Sequence, residues 1–419
     1  MKQFKRAFAT LFCVVVFAQS GYAEGTYLYG ISSRAIGRGG TNVAHRDNGA
    51  LIYDNPAGIA AVSGNGLIDI GIDTLITDFS YSDPDNRTTS DSTISPLPQL
   101  SMVRRSSDGV WAAGLGVFTP AGFGQSYKLN GPFPFLGPQE YNSFGSLTKI
   151  LPSLAWAPTD RLRIGGTAGV GVTYTSIRLP YFLQEPGPTQ GTPVYLDLRG
   201  TGAAFVWSLG LQYDLTEVTT LGVTYQSETD MKLDGPARVT IPLAGTARYD
   251  ADTEIVWPQS VAFGVKHELM PFHTISADII WTDWASAYDA FKVTLSDPSL
   301  AFFPEVTENF PLDWKDGFVF KFGYELETES LGTFRVGYVH NDNPIPNNTL
   351  TPLIQSFSQN GFTAGYGCCW ADWDIDLSYM YAFGSDRTVG NSDFIGGDFD
   401  NARHTNESHA ISISAIKRF

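Results

Sequence analysis

Cysteine, basic charge and long apolar runs are all scarce in this chain. Three cysteines occur in 419 residues. Cys13 falls in an N-terminal leader and has no lipobox before it, and Cys368 and Cys369 are neighbours, which on a strand point to opposite faces and bond poorly. The six histidines are scattered and no zinc-ligand spacing occurs, so no metal or other cofactor is expected. Bases number 27 against 43 acids, a balance that excludes nucleic acid as a partner. No Gly-x-Ser-x-Gly turn is present, and His340 and His409 have no evident nucleophile beside them, so an esterase or lipase is not expected. Beyond the first residues no segment reaches the ~18 consecutive apolar residues of a membrane helix. The chain is therefore either soluble or crosses a membrane as strands.

The two ends favour the second reading. Lys2, Lys5 and Arg6 precede an apolar run from Ala7 to Ala18, and Gly21-Tyr22-Ala23 supplies small residues at a cleavage position, the pattern of a secretory signal peptide over 1–23. Without those three bases, 43 acids face 24 bases, a formal charge of −19. At the other end Ile411, Ile413 and Ala415 alternate with Ser412 and Ser414, and the chain stops at Phe419. This segment resembles the final strand by which outer-membrane β-barrels are recognised by the barrel-assembly machinery.

Period-two alternation recurs between the ends. Ile68, Ile70 and Ile72 alternate with Asp69, Gly71 and Asp73, and Phe205, Trp207, Leu209 and Leu211 with Val206, Ser208 and Gly210. Large apolar residues take one face and small or polar residues the other, which in a membrane barrel are the lipid face and the lumen. The pattern predicts strands at 65–82, 96–107, 109–120, 145–157, 160–178, 201–214, 218–232, 252–268, 271–296, 315–327, 331–342, 359–370, 373–384 and 408–419. Every second connection is a tight turn, as at Ser107-Asp108-Gly109 or Ala371-Asp372, and the others are long. A sandwich has no reason to keep that parity. An outer-membrane barrel of about fourteen antiparallel strands, both termini in the periplasm, does. Trp370, Trp373, Tyr381 and Phe383 fit its interfacial girdles.

Residues 24–64 are too Gly-rich and irregular for a lipid-facing strand, so they sit below the barrel or inside it, with the barrel itself at 65–419. Gly30-Ile31-Ser32-Ser33-Arg34-Ala35-Ile36-Gly37-Arg38-Gly39-Gly40, Asp47-Asn48-Gly49-Ala50 and Tyr53-Asp54-Asn55-Pro56-Ala57-Gly58 resemble the N-terminal hatch of the long-chain fatty acid transporter (FadL) family, with Asn55-Pro56-Ala57 as the hatch motif. Leu221 to Ser227, Trp281 to Trp284, and Phe334 to Tyr338 followed by Asn343-Pro344-Ile345-Pro346 resemble that family's seventh, ninth and eleventh strands. The resemblance implies a barrel plugged by a hatch that takes up long-chain fatty acids or other hydrophobic molecules passively. It also implies capture by outer loops and sideways release at a kinked third strand. One departure bears on the ligand: fatty acid transporters of this type have a basic residue just before the tenth strand, and Glu308-Asn309-Phe310-Pro311-Leu312 has none.

Individual residues acquire expected roles. Phe133, Phe135 and Leu136, then Tyr181 and Phe182, then Phe302 and Phe303 form apolar loop clusters, suited either to ligand capture or to packing on one another or on lipopolysaccharide. Pro120 lacks the N–H of a ladder and Gly122 permits unusual backbone angles, so the third strand either opens laterally there or merely ends. Arg34, Arg38 and Arg46 of the hatch are expected to pair with inward Asp69, Asp73, Asp374 and Asp376, unless those carboxylates simply line a wet lumen. Asn55 and Pro56 form a structural turn or a gate with Ala57. Lys321 and Arg335 face the lumen, where either one ligand carboxylate or Glu325 and Glu327 neutralise them. The run Asn391 to Asn401, with Asp393, Asp398 and Asp400, reads as a solvated acidic loop before a calcium site. A general diffusion porin shares the barrel but not the hatch, and a receptor or adhesin role would use the acidic loops alone.

Overall fold

The computed structural model of the chain describes residues 26–91, 94–301, 303–355, 357–397 and 399–419; the expected signal peptide lies outside the described residues. One antiparallel sheet curls until its first and last strands meet. The strands are β1 (Gly66–Ser82), β2 (Ile94–Arg105), β3 (Trp111–Asn130), β4 (Pro138–Trp156), β5 (Leu162–Phe182), β6 (Pro193–Asp214), β7 (Thr219–Gln226 and Thr229–Ile241) and β8 (Gly245–Trp257 and Ser260–Met270). They continue as β9 (His273–Thr282 and Ala290–Ser296), β10 (Val306–Pro311 and Gly317–Thr328), β11 (Gly332–Asn341), β12 (Asn360–Trp370), β13 (Trp373–Phe383) and β14 (Arg403–Arg418). That makes fourteen, with short rim pieces at Arg87–Thr89 and Arg387–Thr388. Closure runs from Leu67↔Arg418 to Ser82↔Arg403, so no edge remains between β1 and β14.

Alternation assigns the two faces. Phe205 is 65% exposed beside Val206 at 1%, and Ile70, Ile72, Leu115, Leu209, Phe263, Phe322, Ile411 and Ile413 are likewise turned out. Such a belt of large apolar side chains is tolerated facing lipid and not facing water. Short turns close every hairpin at one end, and the one at Ala371-Asp372, where both residues take positive φ (43° and 69°), closes the Trp370↔Trp373 pair as a primed hairpin turn; at the other end the connections are long except between β7 and β8, where the expected long loop is replaced by paired strand closing at Ile241↔Gly245. At the opposite end the strands overshoot their expected limits. β3 runs on to Asn130, β4 begins at Pro138 and β6 at Pro193, because extended backbone outside the lipid belt carries polar outward residues that the alternation of apolar faces does not mark. The first turn of the β8–β9 hairpin also moves, from Leu269-Met270 to Pro271-Phe272.

The N-terminal segment fills the lumen. Its elements are α1 (Ser33–Gly37), α2 (Leu51–Asp54) and a 3-10 turn at Pro56–Ala61, and nearly every residue from 26 to 60 is buried. The wall makes room with glycine. A Cβ on Gly337 would coincide with the backbone of Gly39, and one on Gly222 with the carbonyl of Val43. The small inward residues of the alternation are thus a fit to the plug as well as a lumen lining.

Candidate functional site: an apolar cavity, a wall gap and a charged latch

Toward the long-loop end lies a cavity of about 290 Å³ lined by Leu179, Tyr288, Phe291, Phe310, Trp314 and Leu353 among others. Its floor is built where β9 and β10 both leave the ladder. Between Thr282 and Ala290 the chain forms α3 (Trp284–Ala287), capped by Asp283, whose side chain accepts from the Ser286 amide. This turn drives Trp284 and Tyr288 inward. Trp284 and Trp314 are 5.1 Å apart between ring centroids, and Tyr288 and Trp314 are 4.7 Å apart. Tyr27, at the start of the hatch, sits under them, 5.6 Å from Trp284 and 5.9 Å from Trp257. Rings at these separations attract beyond their buried area.

Tyr27 also marks the gap in the wall. β2 and β3 pair only from Leu100↔Val117 to Arg105↔Ala112. Above that point β2 pairs with β1 alone and β3 with β4 alone. The β3–β4 register shifts between Phe118 and Ala121, around Pro120, so the proline bulges a continuing strand and does not end it. Pro96 and Pro98 occupy the facing stretch of β2, two further residues unable to donate, which the sequence reading passed over. The hatch satisfies orphaned groups there: the Leu28 amide donates to the Pro120 carbonyl at 2.9 Å and the Gly122 amide donates to the Thr26 carbonyl at 2.8 Å, which together bridge Tyr27 to Ala121.

Lower down, the hatch is tied to the wall by charge. Arg34 donates to Asp376 at 2.7 and 2.9 Å and reaches Asp374 at 3.4 Å, two of the four partners expected. Asp69 and Asp73 do not pair with arginine. Asp69 accepts the Gly49 amide at 2.8 Å and Asp73 accepts from the Ser412 hydroxyl, since the turn at Ser32 and the loop at Gly49 present N–H groups to β1. Arg38, fully buried, bridges Asp47 at 2.7 Å and Glu325 at 3.0 Å, and Arg46 reaches Asp214 at 3.4 Å. Arg335 joins Glu325 to Asp376, 2.7 Å to each. The result is one alternating chain, Asp374, Arg34, Asp376, Arg335, Glu325, Arg38, Asp47. No single carboxylate meets both Lys321 and Arg335: Arg335 is consumed by this chain, and Lys321, buried, lies with Tyr53, Asp54 and Gln226 around a separate cavity of about 60 Å³.

Burial, reinforced by the Arg38 charge, pushes the His45 imidazole down to about 3. Burial also raises the Asp47 carboxyl, but the charge and hydrogen bonds of Arg38 outweigh it and hold Asp47 well below the carboxylate range. Asp54 is pushed up to about 6 by burial, opposed in part by the Asn42 amide. His45, Asp47 and Glu325 converge closely enough to hold a cation, but the guanidinium of Arg38 fills that place. Asn55 caps the 3-10 turn: its Oδ1 accepts the Ala57 amide at 3.2 Å while its Nδ2 donates to the carbonyls of Val43 at 2.8 Å and Leu211 at 3.1 Å. With Pro56 opening the turn and Ala57 fully buried, the motif is a structural joint between hatch and β6.

The expected capture residues divide. Phe133 and Leu136 are 87% and 83% exposed. Phe135 packs edge-on against Phe182 at 5.9 Å, Tyr181 stacks on Phe310 at 4.4 Å, and Phe303 is buried; Tyr181 and Phe182 belong to the end of β5, not to a loop. Phe302 lies outside the described residues, as does Asp398 of the acidic loop. None of the described capture residues lines the apolar cavity. Its true lining was signalled by the density of aromatics from Trp284 to Trp314, which interrupts the alternation.

Solved structures share the architecture. A Pseudomonas aeruginosa FadL homologue aligns at 15% identity and TM-score 0.77, over 94% of this chain and 100% of that one. The Pseudomonas putida toluene transporter TodX aligns at 20% and 0.76, over 95% and 100%, and the Ralstonia pickettii toluene transporter TbuX at 19% and 0.72, over 93% and 99%. At these identities the likeness concerns the fold. No curated protein matches the sequence. Residues 14–419, however, match the family described as outer membrane protein transport protein (OMPP1/FadL/TodX), and the chain belongs to that family of outer-membrane barrels.

Proposed function

We propose that this protein is a passive channel for hydrophobic molecules, long-chain fatty acids or hydrocarbons, across the outer membrane of a Gram-negative cell. Ligand meets the exposed Phe133 and Leu136, enters the apolar cavity, and leaves sideways into the lipid between β2 and β3 beside Pro120 and Gly122. Both termini face the periplasm, lipopolysaccharide surrounds the outer rim, and the barrel-assembly machinery inserts the chain.

One observation carries this reading: Tyr27 stands between the cavity floor and the gap in the wall, held there by two backbone hydrogen bonds of its neighbours and by its rings. A lipid-exposed gap in a barrel ladder leaves polar groups without partners, and here a movable plug segment supplies them. Withdrawal of residues 26–28 would join cavity to membrane without opening an aqueous pore. The latch below keeps the rest of the hatch in place, so an apolar solute passes where ions do not.

The test is uptake of radiolabelled oleate and of toluene by cells with and without the protein, beside ion conductance in planar bilayers. Uptake of either with little conductance supports the reading; high steady conductance without uptake would make the protein a porin. Tyr27→Cys with Ala121→Cys, in a Cys368→Ser, Cys369→Ser background, should abolish uptake when oxidised and restore it on reduction.

A further inference from the structure

Glu308 is a buried carboxylate beside an apolar cavity, and its bonding is incomplete. It lies on β10, 3% exposed, directly before the cavity-lining Asn309 and Phe310. Its Oε2 accepts the Gln184 amide at 2.7 Å and the Tyr181 hydroxyl at 3.3 Å. Its Oε1 is buried without a partner. Tyr181 stacks on Phe310, so the carboxylate stands one aromatic ring behind the cavity wall.

The other charges around the cavity do not offset it. Glu254 and Asp289 line the wall, and Glu185 lies close by, accepting from the Asn309 side chain at 2.5 Å. Lys292, the one base among the described lining residues, is bound to Glu254 at 3.2 Å. Arg387, near Ile345, is turned to the Asn347 side chain at 2.6 Å and the Ile345 carbonyl at 2.9 Å. An incoming anion would find each described base engaged and a buried negative charge nearby. Desolvating an unpaired carboxylate beside another is unfavourable on both counts.

We propose that Glu308 sets the charge selectivity of this cavity, rejecting hydrophobic molecules that carry a carboxylate or sulfate and admitting neutral ones such as alkanes, alkanols and simple aromatics. The proposal rests on the cavity being the transport site. A like charge on the order of 10 Å away, at an effective dielectric of about 20, weakens binding roughly tenfold or somewhat more.

The purified protein would be loaded with the neutral dye N-phenyl-1-naphthylamine and the dye displaced by 1-decanol, decanoate or decyl sulfate, which share one chain length. Decanol is expected to displace it at concentrations at least about tenfold below those of either anion. Glu308→Gln should improve both anions roughly tenfold and leave decanol unchanged, and Glu308→Met should do the same. Glu308 can take up a proton in acid and decyl sulfate stays charged, so in the wild type acidification from pH 7 to pH 4 should improve decyl sulfate relative to decanol. If neither variant assembles, a decyl sulfate to decanol ratio unmoved by acidification overturns the proposal. Equal binding of decanol and decanoate by the wild type, or an unchanged ratio in an assembled variant, also overturns it while leaving the channel reading intact. Failure of all three ligands to displace the dye removes the channel reading itself.

Discussion

Arg38 and Glu325 meet at 3.0 Å although 287 residues separate them in the chain, and Asp47 closes the same guanidinium from the hatch side. The pair ties the plug to the last turn-side residues of β10, which ends at Thr328. Truncating Arg38 leaves the buried Glu325 with Arg335 alone and takes the cation from Asp47, whose side chain is 31% exposed, so the loss lies below the roughly 3–5 kcal/mol of a fully broken buried pair. Arg38→Ala should therefore loosen the plug within an intact barrel. Leak of a small hydrophilic dye from proteoliposomes, near background for the wild type, is expected to rise severalfold, with the heat-modifiable band of the folded barrel retained. Unchanged leak would count against the latch.

Acid should act on the same region through three hatch groups of opposing sign. His45, at about 3 in the fold against an ordinary value near 6.5, binds fewer protons folded than unfolded, so its contribution is lost as pH falls below about 6.5. Asp47, held low by Arg38, adds loss only as pH drops below the ordinary carboxylate range. Asp54, raised to about 6, has the opposite sign and favours the packed hatch as pH falls through 6. Between pH 6.5 and pH 4 these contributions oppose each other, so the prediction is a difference between variants. Asp54→Asn, which removes a group that favours the packed hatch in acid, should make dye leak rise more on acidification than in the wild type, and an equal or smaller rise in this variant would refute the assignment.

Restoring a donor at the bulge tests the wall gap. Pro120→Val adds an N–H and releases the fixed φ of proline, so β3 can straighten toward a regular ladder. Uptake of hydrophobic substrate should fall at least severalfold while surface expression and binding to the apolar cavity stay as in the wild type. A variant that assembles normally and transports at the original rate would remove Pro120 from the exit route.

The two faces of the barrel were readable in the sequence because lipid and lumen impose opposite demands on successive residues; Phe205 and Val206 need no partner elsewhere in the chain to reveal their sides. All fourteen strands followed from that local rule. The pairing of Arg34 with Asp376 was also legible, since burial leaves a hatch cation few options. The choice among carboxylates was not, because Asp69 and Asp73 are answered by backbone N–H groups of Gly49 and Ser32, and backbone donors carry no mark in a sequence. Nor did the cavity announce itself. It depends on α3 and on Trp314 turning inward at a shared break in β9 and β10, which is a relation between strands and not a property of either.

The glycines of the wall give the last prediction. A Cβ on Gly337 has no space, because the backbone of Gly39 already lies against the strand, and the atoms it would strike are main-chain atoms that cannot rotate away. Gly337 is on β11, paired with Gly323 and Thr363, and its ladder does not require glycine. The barrel of Gly337→Val should thus assemble, since valine suits a strand, while the segment at Gly39 is displaced from the wall. Displacement would also carry Arg38 away from Glu325. The expected result is a folded barrel with ion conductance well above the wild type in planar bilayers, and with normal heat modifiability. A closed channel in that variant would mean that the hatch yields locally, and that its seal lies at the β3 gap instead.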